Sequence, residues 1–141
     1  MSEILDEVEN ADAFVLGSPM NFGTVTAVMK QFIERLVCYA YWPWGALIPK
    51  SRLESGKKFA VLVSASAAPS VYSRLSSKLV KLLKDAARLL GAGSVSVIFV
   101  GLAAKERRKK MSEHTRKKAR AIGKELAAAK IDSLKRDSVS A

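Results

Sequence analysis

Apolar residues in this chain fall into three short unbroken runs, each followed by a longer stretch with apolar positions at helical spacing. The runs are Phe14–Leu16, the stretch from Lys57 to Ser64 (KKFAVLVS) and the stretch from Ser94 to Val100 (SVSVIFV). Each is too short for a helix, and Phe14–Leu16 is apolar on both faces, the pattern of a parallel strand covered from two sides. Between them the period changes to that of a helix. Val25, Val28, Met29, Phe32, Ile33 and Leu36 share one face behind Thr24, the expected N-cap. Leu75, Leu79, Leu82, Leu83, Ala86 and Leu90 do the same over Val71–Leu90, with Gly91 and Gly93 ending the helix. A last helix starts at Ser112 and keeps Thr115, Ala119, Ile122 and Leu126 on one stripe. An opening helix spans Ser2–Asn10, capped by Ser2 and carrying Ile4, Leu5 and Val8. Residues 130–141 lose the periodicity and read as a frayed or disordered tail.

Strand then helix, repeated three times, predicts an α/β protein: a parallel sheet with right-handed crossovers and helices on both faces. In such sheets the loops at the carboxyl ends of the strands bind ligands. Two loops stand out. Gly17, Ser18, Pro19, Asn21 and Gly23 interrupt regular structure between the first strand and its helix. Their backbone N–H groups, with a helix dipole behind them, suit an anionic or electron-rich ligand. The second strand runs into Ala65, Ser66, Ala67, Ala68, Pro69 and Ser70, small residues that permit close approach or simply make an ordinary strand–helix turn. Between these units, Val37–Leu47 crowds Tyr39, Tyr41, Trp42 and Trp44 around Pro43 and Gly45. Such a cluster serves as a lid packed over the helix end, as an oligomer contact or one wall of a site for a planar ligand, or, more weakly, as a membrane-surface belt. Pro49–Gly56 is a polar connection.

Charge adds a second theme. The 141 residues carry a net charge of +11. It is segregated: residues 1–56 hold 4 Lys/Arg against 7 Asp/Glu, and residues 57–141 hold 20 against 6. Nine Lys/Arg and two Glu fall within residues 105–120. Such a run attracts phosphates by counterion release. It also matches the solvated face of a docked helix, and no nucleic-acid recognition motif accompanies it. Attraction of dinucleotide phosphates is a further use. A single cysteine, Cys38, excludes an internal disulfide and fits a reducing, cytoplasmic setting. The acidic opening MSEILDEVEN has no signal-peptide pattern, and no apolar run is long enough to span a membrane.

The stretch GSPMNFGTVTAVMKQFIER resembles the second flavin-contacting loop and following helix of NAD(P)H-dependent FMN reductases of the flavodoxin-like fold. The match lies at Gly17, Ser18, Pro19, Gly23, Lys30, Phe32, Ile33, Glu34 and Arg35. The resemblance implies a three-layer α/β/α sandwich over residues 1–129, with FMN as cofactor and NAD(P)H as substrate. It places Ser18, Pro19, Met20, Asn21, Phe22, Gly23 and Thr24 at the flavin, and Ser64, Ala65 and Ser66 beside the pyrimidine end of the ring. It implies hydride transfer from NAD(P)H through FMN to a flavin, quinone or similar acceptor, with no acid–base residue and no metal. Lys30 and Arg35 match the family helix and serve a ligand, salt bridges or a dimer contact.

The family's sheet order is 2-1-3-4-5, with FMN at the switch point between strands 1 and 3. The present strands correspond to strands 3, 4 and 5. The family's first two strands and its Gly-Ser-x-Arg phosphate loop have no counterpart in these residues. The Phe14–Leu16 strand is therefore expected to expose an edge, covered by a second copy, by a complementing chain, or by more of a longer parent. The alternatives to an enzyme are a non-catalytic remnant or partner-dependent subunit, and less favoured, a basic nucleic-acid-binding module. His114, within the basic helix, is expected at the surface, and Cys38 is expected to be buried as a small hydrophobe.

Overall fold

The computed structural model describes residues 2–69, 71, 78–105 and 110–139. Helix α1 (Ser2–Asn10) leads into strand β1 (Ala13–Gly17), helix α2 (Ala27–Arg35) and a 3₁₀ turn at Leu36–Tyr39. A small hairpin, β2 (Ala40–Tyr41) and β3 (Lys50–Ser51), precedes the long strand β4 (Lys58–Ala65). Helix α3 (Lys78–Leu89), strand β5 (Ala92–Val100) and helix α4 (Glu113–Val139) complete the order. The part of the second predicted helix that includes Leu75 lies outside the described residues.

Strands β1, β4 and β5 form one parallel sheet in that order, with β4 in the centre. Register sorts the side chains into rows. Leu16, Leu62 and Val97 lie side by side, as do Phe14, Ala60 and Val95. These rows face α1, α2 and α3, where Leu16, Leu36, Leu62, Leu79, Leu83, Ala86 and Leu90 make the larger core. The other face carries Val61 and Ile98, which Ile122 of α4 covers. The α/β sandwich with helices on both faces is thus the observed fold.

Several boundaries differ from expectation. The α2 N-cap is Thr26, whose hydroxyl accepts from the Met29 N–H; Thr24 is instead tied up in the preceding turn. Helix α4 continues to Val139, past the point where its apolar stripe ends. Gly91 does end α3, in the left-handed region at φ 89°, but Gly93 belongs to β5. β1 is not doubly covered: α4 lies over Val61 and Ile98, and Val15 remains 58% exposed. The aromatic segment is not a packed lid. Tyr39 is buried, yet Trp42, Trp44, Leu47 and Ile48 project from the hairpin tip. Cys38 is exposed, because it sits on the outer side of the 3₁₀ turn whose Leu36 and Tyr39 face the core.

Two contacts clamp α1 to the body. The Lys58 ammonium donates to the carbonyls of Val8 and Glu9, satisfying the C-terminal end of the helix. Burial lowers the Lys58 pKa, while Glu9 and Asp12 work in the opposite direction. The Tyr39 hydroxyl donates to Glu9 Oε1 at 2.7 Å. Burial, then that hydrogen bond, holds the phenol well above its ordinary value. The folded state therefore keeps this proton more tightly than the unfolded state. The contribution is full below the unfolded pKa of about 10 and is lost as pH rises toward the folded value. Tyr39→Phe is expected to cost about 1–2 kcal/mol near neutral pH. Denaturant titrations should also show a shallower alkaline loss of stability than in the parent. An unchanged alkaline limb would remove Tyr39 as its source.

Candidate functional site

The carboxyl edge of the sheet is where three loops meet, and backbone hydrogen bonds lace them together. Ser18 N–H donates to Val63 O at 3.0 Å and Met20 N–H to Ala65 O at 2.8 Å, joining the β1 loop to β4. Ser66 N–H donates to Val100 O, Leu102 N–H to Ala68 O, and Ala103 N–H to Ser66 O, joining the β4 loop to the β5 loop. Each strand thus hands its register to the loop beyond it, and the rim is as fixed as the sheet.

Within the rim the first loop folds on itself. Asn21 and Thr24 exchange both backbone hydrogen bonds, at 2.9 and 3.0 Å. Phe22 and Gly23 form the turn between them at φ 49° and 77°. Two successive left-handed residues are what a tight primed turn requires, and glycine meets that need without strain. Phenylalanine does not; a bulky side chain there costs about 1–2 kcal/mol. The Phe22 ring gains no packing in return, being fully exposed. An unfavourable backbone with its side chain held out to solvent is a place where an external contact would repay the cost.

Ser18 is buried and structural. Its hydroxyl accepts from Thr26 N–H at 3.1 Å and donates to Pro19 O at 3.0 Å, locking the loop onto the start of α2. Ser66 is likewise engaged through a hydroxyl hydrogen bond to Ala68 O. These two predicted site residues shape the rim from behind, through hydrogen bonds that leave their hydroxyls turned inward. Pro19, Asn21, Phe22, Gly23 and Thr24 are exposed on it, and Met20 is half-buried. Ala65 contributes a carbonyl already used by Met20. Ser64 is different: it is buried, and its hydroxyl has no hydrogen-bond partner. A buried hydroxyl left unsatisfied costs about 1–3 kcal/mol.

A planar, electron-rich ring edge fits this rim. Among the described residues no carbonyl accepts from the amides of Phe22 and Gly23, and a β-carbon built on Gly23 or Gly17 would meet nothing within 4 Å. The rim therefore offers two amide donors and open approach. Lys30 pairs with Glu34 at 3.6 Å on the exposed side of α2, so it serves an ion pair. Arg35 and His114 are exposed. A shallow acidic groove along α1, lined by Glu3, Asp6, Glu7, Asn10 and Ala11, lies away from the rim, and its carboxylates repel an anionic cofactor. No cluster of His, Cys, Asp or Glu among the described residues could hold a metal ion.

Phe22→Asn is expected to raise stability by about 1 kcal/mol, since asparagine tolerates the left-handed region. Chemical denaturation reads this directly; a loss of stability would show that the ring packs against the protein after all.

The loops of this rim are legible in the sequence, but their internal order is not. Which serines turn inward depends on loop-to-loop hydrogen bonds between residues far apart in sequence. The strained turn was signalled only by the Asn-Phe-Gly spacing, which has no distinctive pattern while phenylalanine occupies the first central position.

Comparisons with known proteins agree with the fold. No curated protein matches the chain in sequence. Among solved structures it is similar to an FMN-dependent NADH-azoreductase of Bacillus anthracis determined with FMN. The TM-score is 0.62 at 16% identity, over 92% of this chain and 60% of that one. A general stress protein 14 of Treponema denticola, also in complex with FMN, gives a TM-score of 0.53 at 17% identity, over 91% and 72%. An NADPH-quinone reductase of P. pentosaceus gives 0.52 at 12% identity, over 91% and 70%. The chain thus spans roughly 60–72% of the length of these structures. No helix among the described residues is long and apolar enough to cross a membrane. Residues 1–123 match the Flavodoxin_2 family, described as a flavodoxin-like fold, and the chain belongs to that family.

Proposed function

We propose that this chain is the ring-binding portion of an NAD(P)H-dependent FMN oxidoreductase. The observation that carries the reading is the interlocked rim with the Phe22 and Gly23 amides unpaired at its tip. FMN, when bound, accepts hydride from NAD(P)H and passes the reducing equivalents to a flavin, quinone or similar small acceptor. The protein's own part is positioning. Pro19, Met20, Asn21, Phe22, Gly23 and Thr24 would line one side of the ring, and the Ser64 hydroxyl would gain a partner near its polar end. Ser18, Ala65 and Ser66 hold these groups in place.

A grip on the cofactor's phosphate is a separate need, because a charge-assisted contact contributes much of the affinity for such a ligand. The open side of β1 supports a source in an added strand. β1 pairs with β4 only, and its outer edge is free among the described residues. Val15 is exposed on the sheet face beside that edge. An edge strand with apolar side chains favours coverage by another strand. A second copy or a complementing chain added there would bring its own loop to the same carboxyl edge. The projecting Trp42, Trp44, Leu47 and Ile48 are suited to the same association. The partner-dependent subunit is thus the second reading, and the edge is the observation favouring it.

The test is flavin titration of the purified chain, followed by fluorescence quenching and by NADH or NADPH oxidation with added FMN. Quenching with turnover supports the enzyme. Quenching without turnover supports the partner-dependent subunit. Neither, with the chain folded and the Phe22→Asn and parent proteins indistinguishable toward FMN, sinks the flavin reading.

A further inference from the structure

We propose that the outer face of α4 is a docking surface for the phosphodiester backbone of nucleic acid, without sequence preference. Arg116, Arg120 and Lys124 repeat every four residues, so their Cα atoms form a row about 6 Å apart along a rigid helix. Lys117 stands beside that row, three residues before Arg120. All four side chains are exposed. Among the described residues one ion pair touches the row, Arg116 to Glu113 at 3.4 Å.

A docked apolar stripe was one ground for reading this charge run as mere solvation. The geometry separates the two features. Ile122 is buried against Val61 and Ile98, and Ala119 and Leu126 flank it. The cationic row lies on a different side of the helix, so docking holds the row outward and in order. Lys105 and Lys110, before the helix, are also exposed. The acidic groove of α1 shows that charge is segregated over the described surface.

Phosphodiester, and not a lipid surface, is favoured by what surrounds the row. Besides Glu113 and Glu125, its exposed neighbours are the small Ala121, Gly123, Ala127 and Ala128. They let a backbone approach closely but give nothing to insert among acyl chains, which interfacial helices do with Trp, Phe or Leu. The proposed contact is to phosphate, which carries no sequence information.

The experiment is fluorescence anisotropy of the full chain with a mixed-sequence duplex, titrated across salt. Four phosphate contacts predict a log–log slope of about −3.6, a loss of roughly 150-fold between about 50 and 200 mM salt. The triple variant Arg116→Gln, Arg120→Gln, Lys124→Gln should retain one contact and a slope of about −0.9. A charge-matched control, Lys78→Gln, Lys81→Gln, Arg88→Gln on α3, should keep the parent's slope. Circular dichroism of both variants should match the parent, since every substituted side chain is exposed. The proposal is overturned by equal losses in the two variants or by absent binding at low salt. It is equally overturned by tighter binding to phosphatidylserine vesicles than to duplex at equal phosphate, or by displacement with NADPH at that same phosphate concentration.

Discussion

Leu62→Ala is expected to lower the unfolding free energy by about 2–5 kcal/mol, among the largest effects of any single side-chain truncation in this chain. Leu62 is 1% exposed at the middle of the central strand. Its row neighbours are Leu16 on β1 and Val97 on β5, and it belongs to the cluster that contains Leu79, Leu83 and Leu90. Removing its branched end leaves a void between sheet and helices. The lining cannot collapse into that void easily, because strands hold it on one side. A domain of this size has a stability of only about 5–15 kcal/mol. The variant should therefore show a clearly lower denaturant midpoint with an unchanged m-value. A cost below about 1 kcal/mol would mean that α3 does not seat on this row.

The consequence for the site follows from the rim. Ser18 and Met20 take their positions from the carbonyls of Val63 and Ala65, immediately beyond Leu62. Loss of the central strand's packing therefore loosens the Ser18–Thr24 loop without touching it. Phe22→Asn does the opposite, leaving the core intact while changing the tip. Any flavin binding should fall in both variants, with stability falling in the first and rising in the second. That pairing distinguishes a contact at the ring from general damage.

Much of this arrangement could be read from residues alone. Runs such as FAVLV and SVIFV fix strands, because nothing but a strand buries so many branched residues in so short a span. Leu79, Leu83, Ala86 and Leu90 fix the face of α3 in the same way. Phe14–Leu16 marks a strand with an open edge. The errors come from tertiary geometry. Val15 looks like a core residue until the position of α4 is known. Trp42 and Trp44 look like packing residues until the hairpin carries them away from the body. Thr24 and Thr26 are equally good caps locally, and a pair of backbone hydrogen bonds between Asn21 and Thr24 decides between them. Cys38 falls on the outer side because it lies two residues past Leu36, off the face that Leu36 and Tyr39 turn to the core. The buried, partnerless Ser64 hydroxyl is likewise invisible in a sequence where serine is common.

Gly93→Ala is expected to cost about 3 kcal/mol or more, although it adds a single methyl group. The pairing of β5 with β4 skips this residue: Lys58 faces Ala92 and Phe59 faces Ser94. Gly93 is the extra residue of a bulge, pressed against the turn before β4. A β-carbon there would stand 2.6 Å from both the Cα and the carbonyl oxygen of Gly56. Those are backbone atoms, and Gly56 itself is held by a hydrogen bond from its N–H to Gly91 O at 3.1 Å. No rotamer change can relieve the overlap, so the bulge or the turn must move and the β4–β5 register with it. Gly17→Ala is the natural control. Its β-carbon would meet nothing within 4 Å. Its backbone is not left-handed, so alanine there should be neutral or stabilise by about 0.4–1 kcal/mol through the unfolded state. Thermal or denaturant unfolding of the two variants should differ by several kcal/mol. Similar midpoints would show that the Gly56 turn yields to Gly93, and that the bulge is a passive irregularity with no part in fixing the register beneath the site.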